Sequence, residues 1–177
     1  MEQLKMLRDD KIADSAQFPE GYHMRSYIGE NGDGAAWCKC CIGGSLGIEE
    51  ASEATFENRM LGDKYVEPKN IFFLVSPEGE IAGTVTYQHT DDEDTGCIHM
   101  VAIEKSHRGK KLALPMVLHA VQKIIEDGKT KIVLTTDDWR ISAIKAYLRA
   151  GFRPEIKPGD AEMENRWDAV QNNISNK

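Results

Sequence analysis

Long apolar runs are missing from this chain. No segment approaches the roughly 20 apolar residues a membrane-spanning helix needs, and the N-terminus has no basic flank leading into a secretory stretch. A soluble, cytoplasmic protein is the expectation. No Gly/Ser-rich or Pro-rich linker interrupts the 177 residues and there is no internal repeat. With 41% hydrophobic content the chain therefore reads as one domain over 1–177 with a single substantial core. Cysteine is scarce as well: Cys38, Cys40 and Cys41 crowd into a predicted helix while Cys97 lies far off on a predicted strand, a spacing that suits reduced thiols. Without a second Cys-x-x-Cys pair or nearby histidines, the cluster gives no reason to assign a metal. Two nucleotide-binding loops are absent, the Gly-x-x-x-x-Gly-Lys-Ser/Thr loop and the Gly-x-Gly-x-x-Gly strand-to-helix turn.

What is present concentrates between Ile98 and Ala113. An apolar strand, Ile98-His99-Met100-Val101-Ala102-Ile103, runs through a short basic glycine turn into a long predicted helix. The first backbone N–H groups of such a helix lack intrahelical partners and lie at the positive end of its dipole, which makes them a cradle for phosphate oxygens. Charge supports this reading. Lys105, Arg108, Lys110 and Lys111 belong to a chain of net charge -7; the 22 Lys+Arg less these four leave 18 against 29 Asp+Glu. A cationic turn on an anionic body fits a local site for a phosphorylated ligand and not a nucleic-acid surface, which needs a broad basic face. A solvated helix start is the plainer alternative.

Downstream, Val117, Leu118, Val121, Ile124 and Ile125 recur at helical spacing, and Gly128 is a C-terminal stop. Lys131–Thr136 then reads as a strand, and Asp137 or Asp138 as the cap of a helix from about Trp139 to Ala150. Strand, turn, helix and strand make a right-handed βαβ crossover with parallel strands. Pro115 predicts a slightly distorted helix start. Elsewhere Tyr22–Ile28, Ile71–Val75 and Ile81–Tyr87 read as strands, the last two around the turn Pro77-Glu78-Gly79, with Leu4–Arg8 as a short edge strand. Asp33 to about Cys41, Ser52 to about Leu61 and Ala161 to about Asn172 read as helices.

Arg108-Gly109-Lys110-Lys111-Leu112-Ala113 resembles the acetyl-CoA signature of the GNAT N-acetyltransferase superfamily, Arg/Gln-x-x-Gly-x-Gly/Ala. Ala143-Ile144 with Tyr147 and Gly151-Phe152 resembles that family's second motif. The resemblance runs from about Ile71 to Phe152 and implies an α/β fold with a mixed, twisted sheet flanked by helices. Two positions depart from the pattern: the usual fourth-place glycine is Lys111, and an asparagine common at the start of the second motif is Arg140. Lys111 either tightens the approach to the pyrophosphate, with its ammonium compensating, or points to solvent. Arg140 can contact phosphate in the same way.

The resemblance further implies direct transfer of an acetyl group from acetyl-CoA to an amine, with the pantetheine arm beside Met100, Val101, Ala102 and Ile103 and an oxyanion donor in the backbone N–H near Val101. Tyr147 stands where many members place a tyrosine that protonates the leaving thiolate, and Ala143 and Arg140 fall in the same motif. His99 is the leading base, since two-residue periodicity puts Cys97, His99, Val101 and Ile103 on one strand face; the alternative is a core histidine satisfied by one hydrogen bond. Asp91–Asp94, Glu49 and Glu50 would favour a cationic amine if they border the acceptor site, and a solvated turn guarding an edge strand otherwise. A small-molecule or protein amine, a monomer or homodimer, and a non-catalytic acyl-CoA sensor as the alternative function complete what the resemblance implies.

Overall fold

The computed structural model describes residues 2–10, 15–29, 32–44 and 47–175. In chain order the strands are β1 Leu4–Arg8, β2 His23–Ser26, β3 Val66–Val75, β4 Ile81–His89, β5 Thr95–Ile103, β6 Lys131–Thr136 and β7 Arg153–Pro154. The helices are α1 Asp33–Cys41, α2 Glu53–Phe56 continued by a π-helical turn over Glu57–Leu61, α3 Ala113–Glu126, α4 Ile141–Arg149 and α5 Ala161–Ser175. The strands form one mixed sheet in the order β2-β3-β4-β5-β6-β1-β7, antiparallel throughout except for β5 with β6.

Alternation along the strands builds a core on each face of the sheet. Phe72, Leu74, Val85, Tyr87 and Ile98 point to the face covered by α3, α4 and α5, where they meet Val121, Ile144 and Trp167. Ile71 and Phe73 point to the opposite face and pack with Trp37, Phe56 and Met60 of α1 and α2. Each such side chain stabilises the fold by about 1.5–3 kcal/mol on full burial. Among the described residues no helix is long and apolar enough to cross a membrane.

Three local expectations are corrected. Leu4–Arg8 is no edge strand: β1 lies between β6 and β7, pairing Met6 with Leu134 on one side and with Pro154 on the other. Alternating apolar residues mark a strand but carry no information about its neighbours. Pro115 costs α3 no helical hydrogen bond, because the helix starts at Ala113 and the proline falls in the first turn, where an N–H has no intrahelical acceptor. Neither Asp137 nor Asp138 caps α4. They belong to the turn closed by the Arg140 N–H on the Asp137 carbonyl, at 3.0 Å, and Arg140 itself precedes the helix.

The feature that positions the site is the short parallel pairing of β5 with β6. Thr95, Gly96 and Cys97 face Lys131, Ile132 and Val133, and beyond Cys97 the strands part. Gly96 allows α3 to press on the sheet where the strands are still joined, since a Cβ there would stand 2.6 Å from Ile124 Cγ2. Gly96→Ala is expected to destabilise the protein by about 1–3 kcal/mol through overpacking, read as a lower urea midpoint with an unchanged m-value.

Candidate active site

Where β5 leaves β6 it also bulges against β4. Thr86 pairs with His99 and Thr84 with Ala102, so three steps on β5 match two on β4, and Met100 takes a left-handed φ of 57° to accommodate the extra residue. The bulge reverses the expected facing. Val101 and Ile103 pack on the α3 side with Ile98, while Met100 and Ala102 pack on the α1/α2 side. His99, opposite Thr86 and next to Ile98 in the strand, belongs to the α1/α2 side as well. The shared face for Cys97, His99, Val101 and Ile103 is thereby corrected: strict alternation fails across an inserted residue.

At the end of β5 a 3-10 turn, Lys105–His107, leads through Gly109 (φ 80°) and Lys111 (φ 61°) into α3. Among the described residues, none of the backbone N–H groups from Gly109 to Leu114 has a protein acceptor. The Arg108 Nε–H donates to the Ile103 carbonyl at 3.0 Å, which ties the turn back to the strand. Lys110 points away from the opening: its Nζ donates to the Tyr22 hydroxyl at 3.2 Å, and that hydroxyl also meets His107 Nδ1 at 2.9 Å. Lys111 occupies, with a Cβ, a conformation that favours glycine, at a cost of about 1–2 kcal/mol. Lys111→Gly is expected to raise stability by up to about 1 kcal/mol. Denaturant titration checks it, and calorimetry with acetyl-CoA on the same variant reports whether the lysine assists or hinders ligand approach.

The gap between the parted strands opens as a groove of about 840 Å3. Val101, Ala102, Ile103, Arg108, Gly109, Lys111, Leu112 and Ala113 line it from the strand and turn, and Arg140, just before α4, lines it with Ala143 and Tyr147 of that helix. Of the catalytic and cofactor-binding residues that the resemblance implies, Lys110 alone stays outside. His99 lines the groove from the α1/α2 side and has no hydrogen-bond partner among the described residues; burial lowers its pKa below the ordinary imidazole value, with Asp63 opposing. Tyr147 approaches from the other side, 4% exposed and packed edge-on against Phe152. Burial raises its phenol pKa, partly offset by Arg140, so the hydroxyl stays protonated at neutral pH.

Three thiols border the same space, and all are free. Burial pushes Cys97 up to about 11 and Cys40 up to about 12, and raises Cys41 further. They are neutral thiols and poor nucleophiles. The contribution of α1 was not foreseen: Cys40 to Gly44 close one wall of the groove, and only the Gly43-Gly44 break in the sequence hinted at a chain end there. Asp91–Asp94, by contrast, lies away from it. Asp91 accepts from the Tyr65 hydroxyl at 2.7 Å, and the Asp94 carbonyl accepts from Thr130 and Lys131 beside the closed end of the β5/β6 pair. Glu49 and Glu50 do not line the groove either.

A family model described as "Acetyltransferase (GNAT) family" matches residues 41–152, which span β5, the basic turn, α3 and α4. The chain belongs to the GNAT acetyltransferase family. This GNAT chain is 29% identical over 149 residues to "N-alpha-acetyltransferase MAK3" of Arabidopsis thaliana, covering 81% of the chain and 73% of the relative. It is 25% identical over 103 residues to "Mycothiol acetyltransferase" of Corynebacterium aurimucosum, covering 54% of the chain but only 34% of that protein. In structure it resembles a GCN5-related N-acetyltransferase from Sphaerobacter thermophilus, with a TM-score of 0.69 at 20% identity over 86% of the chain and 48% of the other. The GNAT chain thus spans about a third and about half of these last two relatives. The structural likeness supports the mixed, split sheet with flanking helices.

Proposed function

We propose that this GNAT chain transfers the acetyl group of acetyl-CoA to a primary amine by direct attack in a ternary complex, as one soluble, cytoplasmic domain acting as a monomer or homodimer. The observation that carries the reading is the groove itself, a parted β5/β6 pair that leads to six unpaired N–H groups at the start of α3. Those residues fit acetyl-CoA. Backbone N–H groups of Gly109 to Ala113, the dipole of α3 and the charges of Arg108 and Lys111 suit a pyrophosphate, and the free β6-facing edge of Val101, Ala102 and Ile103 suits an amide-bearing arm. Lys110 would contribute through its N–H, since its side chain is engaged by Tyr22.

Acetyl-CoA supplies an activated thioester; the remaining chemistry belongs to the chain. His99, neutral and on the α1/α2 side, takes the proton that an ammonium must lose before it attacks. The backbone N–H near Val101, beside the bulge, is the donor for the developing oxyanion. Tyr147, on the opposite side, gives its proton to the departing sulfur. Base and acid on opposite faces of the parted strands let amine and leaving group approach from different sides. The protonated state of Cys40, Cys41 and Cys97 favours direct transfer over an acyl-cysteine intermediate.

Calorimetric titration with acetyl-CoA tests the proposal, followed by an amine panel with thiol-release detection. Saturable one-site binding with amine-dependent thiol release is the expected result. Binding without turnover of any small or protein amine would leave an acyl-CoA sensor; no binding would overturn both readings.

A further inference from the structure

The groove is one-sided in charge. Arg108, Lys111, Arg140, Lys145 and Arg149 line it, and among the described residues no aspartate or glutamate does, in a chain with 29 acidic residues. Among the described residues none of these five cations forms an ion pair. Arg108 and Lys111 belong to the phosphate turn, and Lys145 and Arg149 stand one turn apart on α4, whereas Arg140 is placed differently. It sits where the chain passes from β6 to α4, its guanidinium 5.6 Å from the centre of the Trp139 ring. Its charge bears on both the Tyr147 phenol and the Cys41 thiol, which belong to the cores on opposite faces of the sheet. Arg140 therefore stands in the groove within electrostatic reach of the proposed proton donor, beside Trp139.

Apolar surface completes the pattern. Of the four large hydrophobic side chains exposed among the described residues, Ile42 at 38% and Trp139 at 66% both line this groove. Ile42 follows α1 on the side of His99, and Trp139 precedes Arg140. A second positive charge on the acceptor would find no carboxylate here and several cations; a single anionic group would find a free guanidinium whose fork matches a carboxylate. An apolar side group would cover Ile42 and Trp139, exposed surface that costs free energy while it faces water.

We infer that the acceptor is a primary amine that also bears a carboxylate and an apolar side group, the chemistry of a hydrophobic α-amino acid, with Arg140 binding the carboxylate. The inference rests on the acetyl-transfer reading and names the substrate class of that site. It takes the place of the cationic acceptor that the acidic run would favour if it bordered the site, since Asp91–Asp94 do not line the groove. It also moves Arg140 from the phosphates to the acceptor. In the step itself the α-ammonium gives a proton to His99, and its nitrogen forms a C–N bond to the acetyl carbonyl carbon. The C–S bond breaks, its electron pair leaves on sulfur, and the sulfur takes a proton from Tyr147. After the nitrogen's second proton has restored the tyrosine, the products are the N-acetyl amino acid and coenzyme A thiol, with one proton released overall.

The test compares phenylalanine with phenethylamine, which differ by the carboxylate alone, and adds spermidine and a phenylalanine-led peptide amide, each with acetyl-CoA and thiol-release detection. Phenylalanine is expected to exceed the other three at least ten-fold in kcat/KM. In Arg140→Gln the phenylalanine-to-phenethylamine ratio falls to within about two-fold, mainly through KM, and Arg140→Lys restores part of it. Equal rates, or a preference for phenethylamine, spermidine or the peptide amide, overturn the inference. Calorimetry on the full chain with N-acetylphenylalanine and N-acetylphenethylamine, with and without coenzyme A, gives a readout independent of turnover. Ten-fold tighter binding of the carboxylate compound, lost in Arg140→Gln, supports the inference even if no amine is acetylated and the acetyl-transfer reading itself fails. Equal affinity, or binding of neither compound, overturns it.

Discussion

Tyr147→Phe is expected to lower kcat by about 10²–10³-fold, within the range for loss of a positioned general acid, while acetyl-CoA affinity changes by less than about two-fold. The ring fills buried space in the core beneath α4 and packs edge-on against Phe152, and phenylalanine keeps that packing. The hydroxyl alone is lost, and it has no protein partner among the described residues, so stability should stay within about 0.5 kcal/mol of the parent. A departing thiolate without a proton donor near it must be neutralised by water, which the buried setting of Tyr147 disfavours. Because burial raises the phenol pKa, any loss of activity through its ionisation lies above pH 10, well away from the acid limb set by the base. Single-turnover thiol release at saturating acetyl-CoA separates this effect from binding. Full turnover in the variant would identify Tyr147 as a packing residue.

The crossover from β5 through α3 to β6 was legible because two periodicities follow one another there: an apolar strand, then Val117, Val121 and Ile124 on one helical stripe, then an alternating strand. The basic turn before α3 was legible for a related reason, since Gly109 and four cations fall in one short stretch between strand and helix. The facing of His99 was not. A bulge at Met100 depends on how β4 and β5 register against each other, and a non-glycine residue at positive φ leaves no mark in composition. The same limit applies to β1. Leu4 and Met6 announce a buried face, yet the insertion of this strand between β6 and β7 is decided by long-range pairing. Cys40 to Gly44 reach the groove because α1 packs across the sheet, and no local signal encodes that arrival. Arg140 was visible only as a departure from a family pattern; its place in the groove, without an ion pair among the described residues, came from the fold.

His99→Gln is expected to lower kcat/KM by about 10²-fold near pH 7.5, the smaller end of the range for general-base catalysis, and to abolish the acidic limb of the pH profile. The base works only when neutral. Burial lowers the His99 pKa despite the opposing charge of Asp63, so the wild-type limb should lie below the unperturbed value of about 6.5. The sign is the same for stability. Below about 6.5 the unfolded chain takes up a proton that the folded histidine resists, so the contribution of neutral His99 is complete above that pH and is lost as pH falls through the lowered folded value. Glutamine cannot titrate, so the variant should also denature with a shallower dependence on pH below about 6.5, although the lowered pKa of half-buried His119 leaves part of the slope in place. These two consequences distinguish a base from a merely buried imidazole. A structural histidine would give the flatter stability profile with kcat/KM intact, whereas a base gives that profile and loses both rate and limb. Retention of the full wild-type rate and limb in His99→Gln would move proton removal to a water or another group in the groove.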